Sequence, residues 1–278
     1  MERIKKALDR AKKQRESEKS TSSDNSEGGG RDLSKHTSAV PEDEQNIRYS
    51  STKVIDISER ALKNQRVITG IGPGPVTDAY RMLRTKVLQR MRQNDWNALA
   101  VTSTTPGEGK SLTAVNLAIS LAMEVNQTVL LVDFDLRRPS IHNYFGYKPE
   151  KGLSDYLLTD TPLNEILFNP SIERLVVLPG NKPFLNSSEM ISSPKMIQMV
   201  EDIKSRYPSR LVIFDLPPLL STDDALAFSP FVEAILMVVE EGKTQAEDLQ
   251  RAAEMLKDYN LIGTVLNKSD EQTKEYYY

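Results

Sequence analysis

Residues 98–116 read ALAVTSTTPGEGKSLTAVN. An apolar run, ALAVTS, stops at a turn of Thr, Pro and Gly, and an amphipathic pattern at helical spacing follows it. Within the turn, Thr104-Thr-Pro-Gly-Glu-Gly-Lys-Ser111 nearly fits G-x-x-x-x-G-K-[ST], with Thr104 in place of the first glycine. Gly107 and Gly109 let backbone N–H groups converge on phosphate oxygens with no Cβ in the way. Lys110 has the length to reach β- and γ-phosphates, and the Ser111 hydroxyl is a ligand for Mg2+. The helix that starts near Lys110 turns its positive end on the same anion. Pro106, Glu108 and Leu112 complete the stretch expected to line a bound nucleotide. The motif needs a strand before it and a helix after it, and both are present.

Outward from this loop the same rhythm recurs. Short apolar runs stand at 128–133 (TVLLVD), 174–179 (RLVVLP), 210–215 (RLVIFD), 234–240 (AILMVVE) and 262–267 (IGTVLN). Several are rich in β-branched residues, as strands buried on both faces are. Helical patterns lie at 78–90, 110–125, 194–207 and 244–258. The alternation predicts an α/β fold, a mostly parallel central sheet flanked by helices. Ligands of such sheets bind at the carboxyl ends of the strands, so function is read from the residues that follow each run.

Three carboxylates stand there. The run after the loop helix ends LLVDFDLRRP, with Asp133 and Asp135 two apart and expected on one side of an extended chain. The run LVIFDLPP carries Asp215 at its tip. An acid after four apolar residues is a pattern that holds Mg2+ directly or through water. With Lys110 and Ser111, the set supplies what phosphoryl transfer needs: cations for developing charge and a carboxylate to position an attacking hydroxyl.

Composition removes most other chemistries. The 278 residues contain no cysteine and two histidines, His36 and His142. Disulfides, thiolate zinc sites, iron–sulfur clusters, cysteine nucleophiles and multi-histidine metal sites are excluded. The formal net charge of −3 argues against a general nucleic-acid coat. No apolar run approaches the roughly 18 residues of a membrane span, and the N-terminus lacks the apolar core of a secretory signal, so a cytoplasmic location is expected.

The chain divides into 1–46, 47–270 and 271–278. Residues 1–19 pattern as a short helix with Met1, Ile4, Leu8 and Ala11 on one stripe and a basic surplus, suited to a membrane surface, a partner or plain solvent. Residues 20–46 are rich in Ser, Gly and acids and read as linker. The segment 47–270 holds the nucleotide fold. The tail ends EYYY, with Tyr276, Tyr277 and Tyr278 adjacent at a polar terminus where aromatic side chains have no packing purpose. From Asn267 to Tyr278 is eleven steps, roughly 35–40 Å when extended, enough to reach a neighbouring subunit.

These residues resemble the bacterial tyrosine kinases (BY-kinases) of exopolysaccharide and capsule production, P-loop proteins unrelated to eukaryotic-type kinases. PGEGKS is similar to their Walker A, LLVDFDLRRP to their Walker A′ and LVIFDLPP to their Walker B, and the tyrosine tail matches. The start, MERIKKAL, looks like the stand-alone autokinases of exopolysaccharide loci. The resemblance implies ATP and Mg2+ as cofactors, with Lys110 and Ser111 on the phosphates and the metal. Asp133 and Asp135 would contact metal and activate the tyrosine hydroxyl, Asp133 being the favoured base, and Asp215 would complete the metal site. It implies autophosphorylation in trans on Tyr276, Tyr277 and Tyr278. It further implies a homo-oligomer, a membrane-spanning polysaccharide co-polymerase as a separate activating chain, and a cognate tyrosine phosphatase. Asp78, Arg81 and Arg84 resemble the family's E-x2-R-x2-R subunit-contact motif, with Asp for Glu.

Three rivals use the same loop. Partition and septum-positioning ATPases carry K-G-G-x-G-K-[ST], but Thr105 and Pro106 stand where the trans-acting lysine and the next glycine belong. A GTPase would explain Asn267-Lys-Ser-Asp270, which fits N-K-x-D, yet Leu-Pro-Pro follows Asp215 where D-x-x-G is needed. Asn267 is kept as a candidate contact to the purine edge. The third rival is a nucleotide-gated scaffold of a polymer-export machine.

Overall fold

In the computed structural model the described residues are 52–68, 74–159, 161–184, 186–207 and 209–269. The amphipathic segment 1–19, the linker 20–46 with His36, and the tyrosine tail lie outside them. The chain partitions after Asn46, and the unit from Ile47 onward carries the fold.

Eight strands form one sheet: β1 (Lys53–Val54), β2 (Ala98–Ser103), β3 (Thr128–Asp133), β4 (Phe168–Asn169), β5 (Leu175–Leu178), β6 (Arg210–Asp215), β7 (Ala234–Glu240) and β8 (Leu261–Asn267). Their order is β1-β4-β5-β3-β6-β2-β7-β8, and every pairing is parallel except β4 with β5. β2 and β3 are buried at every position, and β6 and β7 at all but one end residue, which is why they read as unbroken apolar runs. β8 is an edge strand and only half-buried.

The helix Lys110–Ala122 is buried at every position but Leu112, its polar residues included. The longer helix Pro75–Gln93 covers it from outside and buries Val87, Leu88 and Met91. On the opposite face, Met196, Met199, Val200 and Ile203 of helix Pro194–Ser205 pack with Ala252 and Leu256 into a second core around Phe134, Phe214 and Phe228. The sheet is thus sandwiched between helices, as the strand–helix alternation predicts.

Four longer helices stand where the periodicity places them: Pro75–Gln93, Lys110–Ala122, Pro194–Ser205 and Ala246–Met255. The first starts three residues earlier than predicted, because Pro75 is suited to an opening position of a helix. The two-residue strands β1 and β4, at one side of the sheet, lack any periodic signal and come from tertiary pairing alone. The extended chain predicted through Asp135 ends at Asp133, and Asp135 falls in the turn, where it accepts a hydrogen bond from the Arg138 N–H at 3.0 Å.

Register brings the site together. Asp133 pairs directly with Asp215 across β3 and β6, and Val101 pairs with Asp215 from the other side. β2 ends between β6 and β7, where the strand order reverses direction, so its loop opens at the crevice.

Candidate active site

The phosphate loop leaves β2 and closes on the N-terminus of helix Lys110–Ala122. Gly107 and Gly109 adopt φ of +87° and +95°, a left-handed backbone that side chains disfavour. The strand β6 exit holds the loop's other side: Leu219 and Leu220 donate N–H bonds to the carbonyls of Ser103 and Thr104, at 2.8 and 3.1 Å. Thr102 Oγ1 donates to the Pro217 carbonyl at 2.8 Å. Pro106 lies in the turn, and Leu112 is the one half-exposed position of the helix.

Lys110 is almost fully buried and stands among the aspartates. Its Nζ lies 3.0 Å from Asp135 Oδ2, 3.3 Å from Asp215 Oδ1 and 3.1 Å from Ser111 Oγ. Burial works against its charge, and the carboxylates of Asp215 and Asp135 outweigh that effect and hold the ammonium protonated. Asp133 and Asp215 are fully buried. Burial first, then the neighbouring Asp215 charge, pushes the Asp133 carboxyl up to about 8. Burial also raises Asp215, although Lys110 opposes it.

Asp133 Oδ2 accepts the N–H groups of Ser140 and Ile141 at 2.8 and 2.9 Å, while Oδ1 is buried with no partner. That orphaned oxygen, on the residue paired across the sheet with Asp215, fits a divalent cation shared with a nucleotide. Among the described residues no three acid or histidine side chains cage an ion by themselves. Magnesium in nucleotide sites takes one or two carboxylates and completes its shell from phosphate and water, so no cage is required.

Around this centre lie residues the sequence did not single out in these roles. Glu108 is completely buried. Its Oε1 accepts the hydroxyls of Thr104 (2.6 Å), Thr105 (3.0 Å) and Thr244, and its Oε2 accepts the Thr105 N–H at 2.9 Å. Burial pushes Glu108 up, but the hydrogen bonds from Thr104, Thr244 and Thr105 together hold it below the usual carboxylate range. Arg137 binds Asp224 at 3.0 Å, and Asp224 also accepts Ser187 Oγ at 2.6 Å, which fastens the turn after Asp135 to a buried acid. A run of paired long-range hydrogen bonds of this kind has no sequence signature.

Asn267, proposed for the purine edge, donates its Nδ2 to the Glu108 carbonyl at 2.8 Å. Asp78 and Arg81 pair with each other at 3.0 Å on an exposed helix face. Arg84 turns inward instead, to the Ser120 carbonyl at 3.1 Å and Glu124 at 2.9 Å. Asp270, Tyr276, Tyr277 and Tyr278 lie outside the described residues.

A family model described as ParA, NUBPL iron-transfer P-loop NTPase, matches residues 96–275. The tyrosine-protein kinase YwqD of Bacillus subtilis (strain 168) is 32% identical over 205 residues, covering 73% of this chain and 85% of that one. The putative tyrosine-protein kinase CapB of Staphylococcus aureus is 26% identical over 73% of this chain and 90% of its own. Tyrosine-protein kinase etk of Escherichia coli (strain K12) is 32% identical over 68% of this chain, and the match spans 26% of that longer protein. Among solved structures, the kinase domain of Escherichia coli tyrosine kinase ETK superposes with a TM-score of 0.67 at 30% identity, covering 81% of this chain and 93% of that one. The septum site-determining protein MinD of Pyrococcus horikoshii OT3, complexed with Mg-ADP, shares the fold at 22% identity and a TM-score of 0.53, covering 64% of this chain and 72% of that one.

Proposed function

The chain belongs to the bacterial tyrosine kinases, on a ParA-type P-loop fold, and from that premise we propose that it moves the γ-phosphoryl group of ATP onto Tyr276, Tyr277 and Tyr278 of another copy of itself. The observation that carries the reading is Lys110, whose ammonium meets Asp135, Asp215 and Ser111 at the mouth of the phosphate loop. A phosphoryl group in flight spreads negative charge over its oxygens, and a fixed cation in a site shielded from water stabilises that charge strongly. Lys110 needs only to exchange carboxylate partners for phosphate oxygens. The loop N–H groups and the helix N-terminus hold the remaining phosphates.

Magnesium would be held by Ser111 and Asp215 with Asp133 and Asp135 nearby, and when bound it neutralises the phosphates. In this reading Asp133, once ionised, accepts the tyrosine hydroxyl proton.

One relative is named the succinoglycan biosynthesis transport protein ExoP of Rhizobium meliloti (strain 1021), a protein of polysaccharide biosynthesis and transport. We extend that setting to this chain, with a membrane-spanning co-polymerase as its activating partner, a homo-oligomer as its working form and a tyrosine phosphatase to reset it. Among the described residues no helix is long and apolar enough to cross a membrane. A partition-type ATPase is disfavoured because Thr105, standing at the trans-acting lysine position, is bound into the loop by Glu108. Iron transfer is disfavoured because the chain lacks cysteine thiolates.

Mixing two inactive halves tests the trans reading. One chain carries Lys110→Met and an intact tail; the other carries an intact site and Phe at 276, 277 and 278. Phosphate on the tail of the Lys110→Met chain supports transfer between copies, and an unlabelled tail beside an active wild type contradicts it.

A further inference from the structure

The residues just before the tyrosine tail are bound to the outside of the phosphate loop. Lys268 Nζ donates to the Gly107 carbonyl at 2.8 Å and pairs with Glu240 at 2.9 Å. Asn267 Nδ2 donates to the Glu108 carbonyl at 2.8 Å and lies 2.0 Å from where a Cβ on Gly109 would sit. Lys268 itself holds a left-handed φ of +58°. From the end of β7, Thr244 Oγ1 accepts the Glu240 N–H at 2.8 Å and donates to the buried Glu108 carboxylate.

The result is a closed set of contacts: Glu108 to Thr244 to Glu240 to Lys268 and back to the loop at Gly107. A carboxylate inside an anion-binding loop opposes phosphate unless it faces elsewhere. Both Glu108 oxygens are taken up within the protein, by three hydroxyls and the Thr105 N–H. Gly107 and Gly109 hold positive φ, and the carbonyls of Gly107 and Glu108 between them accept from Lys268 and Asn267.

We infer that Glu108 and Lys268 are positioning residues that hold the phosphate loop in its nucleotide-binding shape from outside, and that this clasp links nucleotide binding to the root of the acceptor tail. The inference deepens the kinase reading and rests on it. Linkage is reciprocal: if the clasp favours bound nucleotide, bound nucleotide must tighten the clasp. The tail root would then be steadied when a phosphoryl donor is present and loosened when the site is empty.

The experiment measures amide hydrogen exchange of the 264–269 segment in the full chain, with and without Mg-ADP, for wild type, Glu108→Gln and Lys268→Met. Titration calorimetry with Mg-ADP accompanies it, and thermal unfolding reports the fold. For wild type, nucleotide should slow exchange in the segment by roughly fivefold or more. Each variant should weaken Mg-ADP by roughly tenfold, and Lys268→Met should erase most of the nucleotide effect on exchange. Normal Mg-ADP affinity in folded Lys268→Met, or nucleotide-indifferent exchange in a wild type that binds Mg-ADP, overturns the clasp and leaves the kinase reading standing. Absence of Mg-ADP binding by wild type overturns the kinase reading itself. A variant that unfolds is replaced by Thr244→Val, which removes one hydroxyl of the set and should shift affinity in the same direction.

Discussion

The Lys110 ammonium lies 3.3 Å from the Asp215 carboxylate, a residue 105 positions away that reaches it only because β6 pairs beside β2. In the proposed reading the contact is the resting arrangement of the groups that would meet phosphate. The lysine satisfies the buried acids, and a bound polyphosphate would offer it other partners and leave the acids to hold the accompanying cation.

Asp133 is expected to limit the stability of the nucleotide-free protein. Its folded carboxyl is pushed up to about 8, against about 3.9 for an unfolded aspartate. Between those values the folded chain holds a proton that the unfolded chain has released. Stability therefore falls as pH climbs through this window, and the loss is complete above about 8. Asp133→Asn imitates the neutral form, its Oδ1 still able to accept the N–H groups of Ser140 and Ile141. Thermal unfolding should show the variant more stable than wild type by roughly 5 °C near pH 8, with the gap closing towards pH 4, while phosphotyrosine formation is lost. A variant less stable than wild type near pH 8 contradicts the buried-proton account.

Gly109→Ala should cripple the loop without unfolding the sheet. The new methyl group meets Asn267 Nδ2 at 2.0 Å and must adopt a φ of +95°. Strain of about 1–3 kcal/mol is expected from the backbone alone. Calorimetry should find Mg-nucleotide affinity reduced at least tenfold; unchanged affinity would mean the loop tolerates a different path.

Asp224→Ala should act on stability and not on nucleotide. Asp224 is 1% exposed and holds both Arg137 and Ser187. Arg137 is 38% exposed and can turn to water, so the loss is about 2–3 kcal/mol and not the full cost of a stranded buried charge. Chemical denaturation measures it, and Mg-nucleotide affinity of the folded fraction should match wild type. A loss below about 0.5 kcal/mol would show that the pair contributes only as a surface contact does.

Most of the fold is written in the sequence because β2, β3, β6 and β7 are buried on both faces and are apolar along most of their length. The loop Thr104–Ser111 and the acids at the strand tips are equally legible, since phosphate chemistry restricts which residues stand there. The two-residue strands β1 and β4 are not, because pairing with a distant neighbour creates them. Nor is the role of Glu108, expected from the motif to line the nucleotide and placed by the structure as a buried acceptor of four hydrogen bonds. Arg84 misleads for a related reason. Its spacing from Asp78 and Arg81 suits one shared face, but a long side chain reaches Glu124 and the Ser120 carbonyl within its own chain.

The most direct measurement is phosphopeptide mapping of the full chain after incubation with Mg-ATP, beside Lys110→Met. Phosphate on one or more of Tyr276, Tyr277 and Tyr278 in wild type, with none in folded Lys110→Met, is the predicted result. Unmodified tail tyrosines in a wild type that binds Mg-ATP and has its activating partner present, or equal labelling in both proteins, would contradict it.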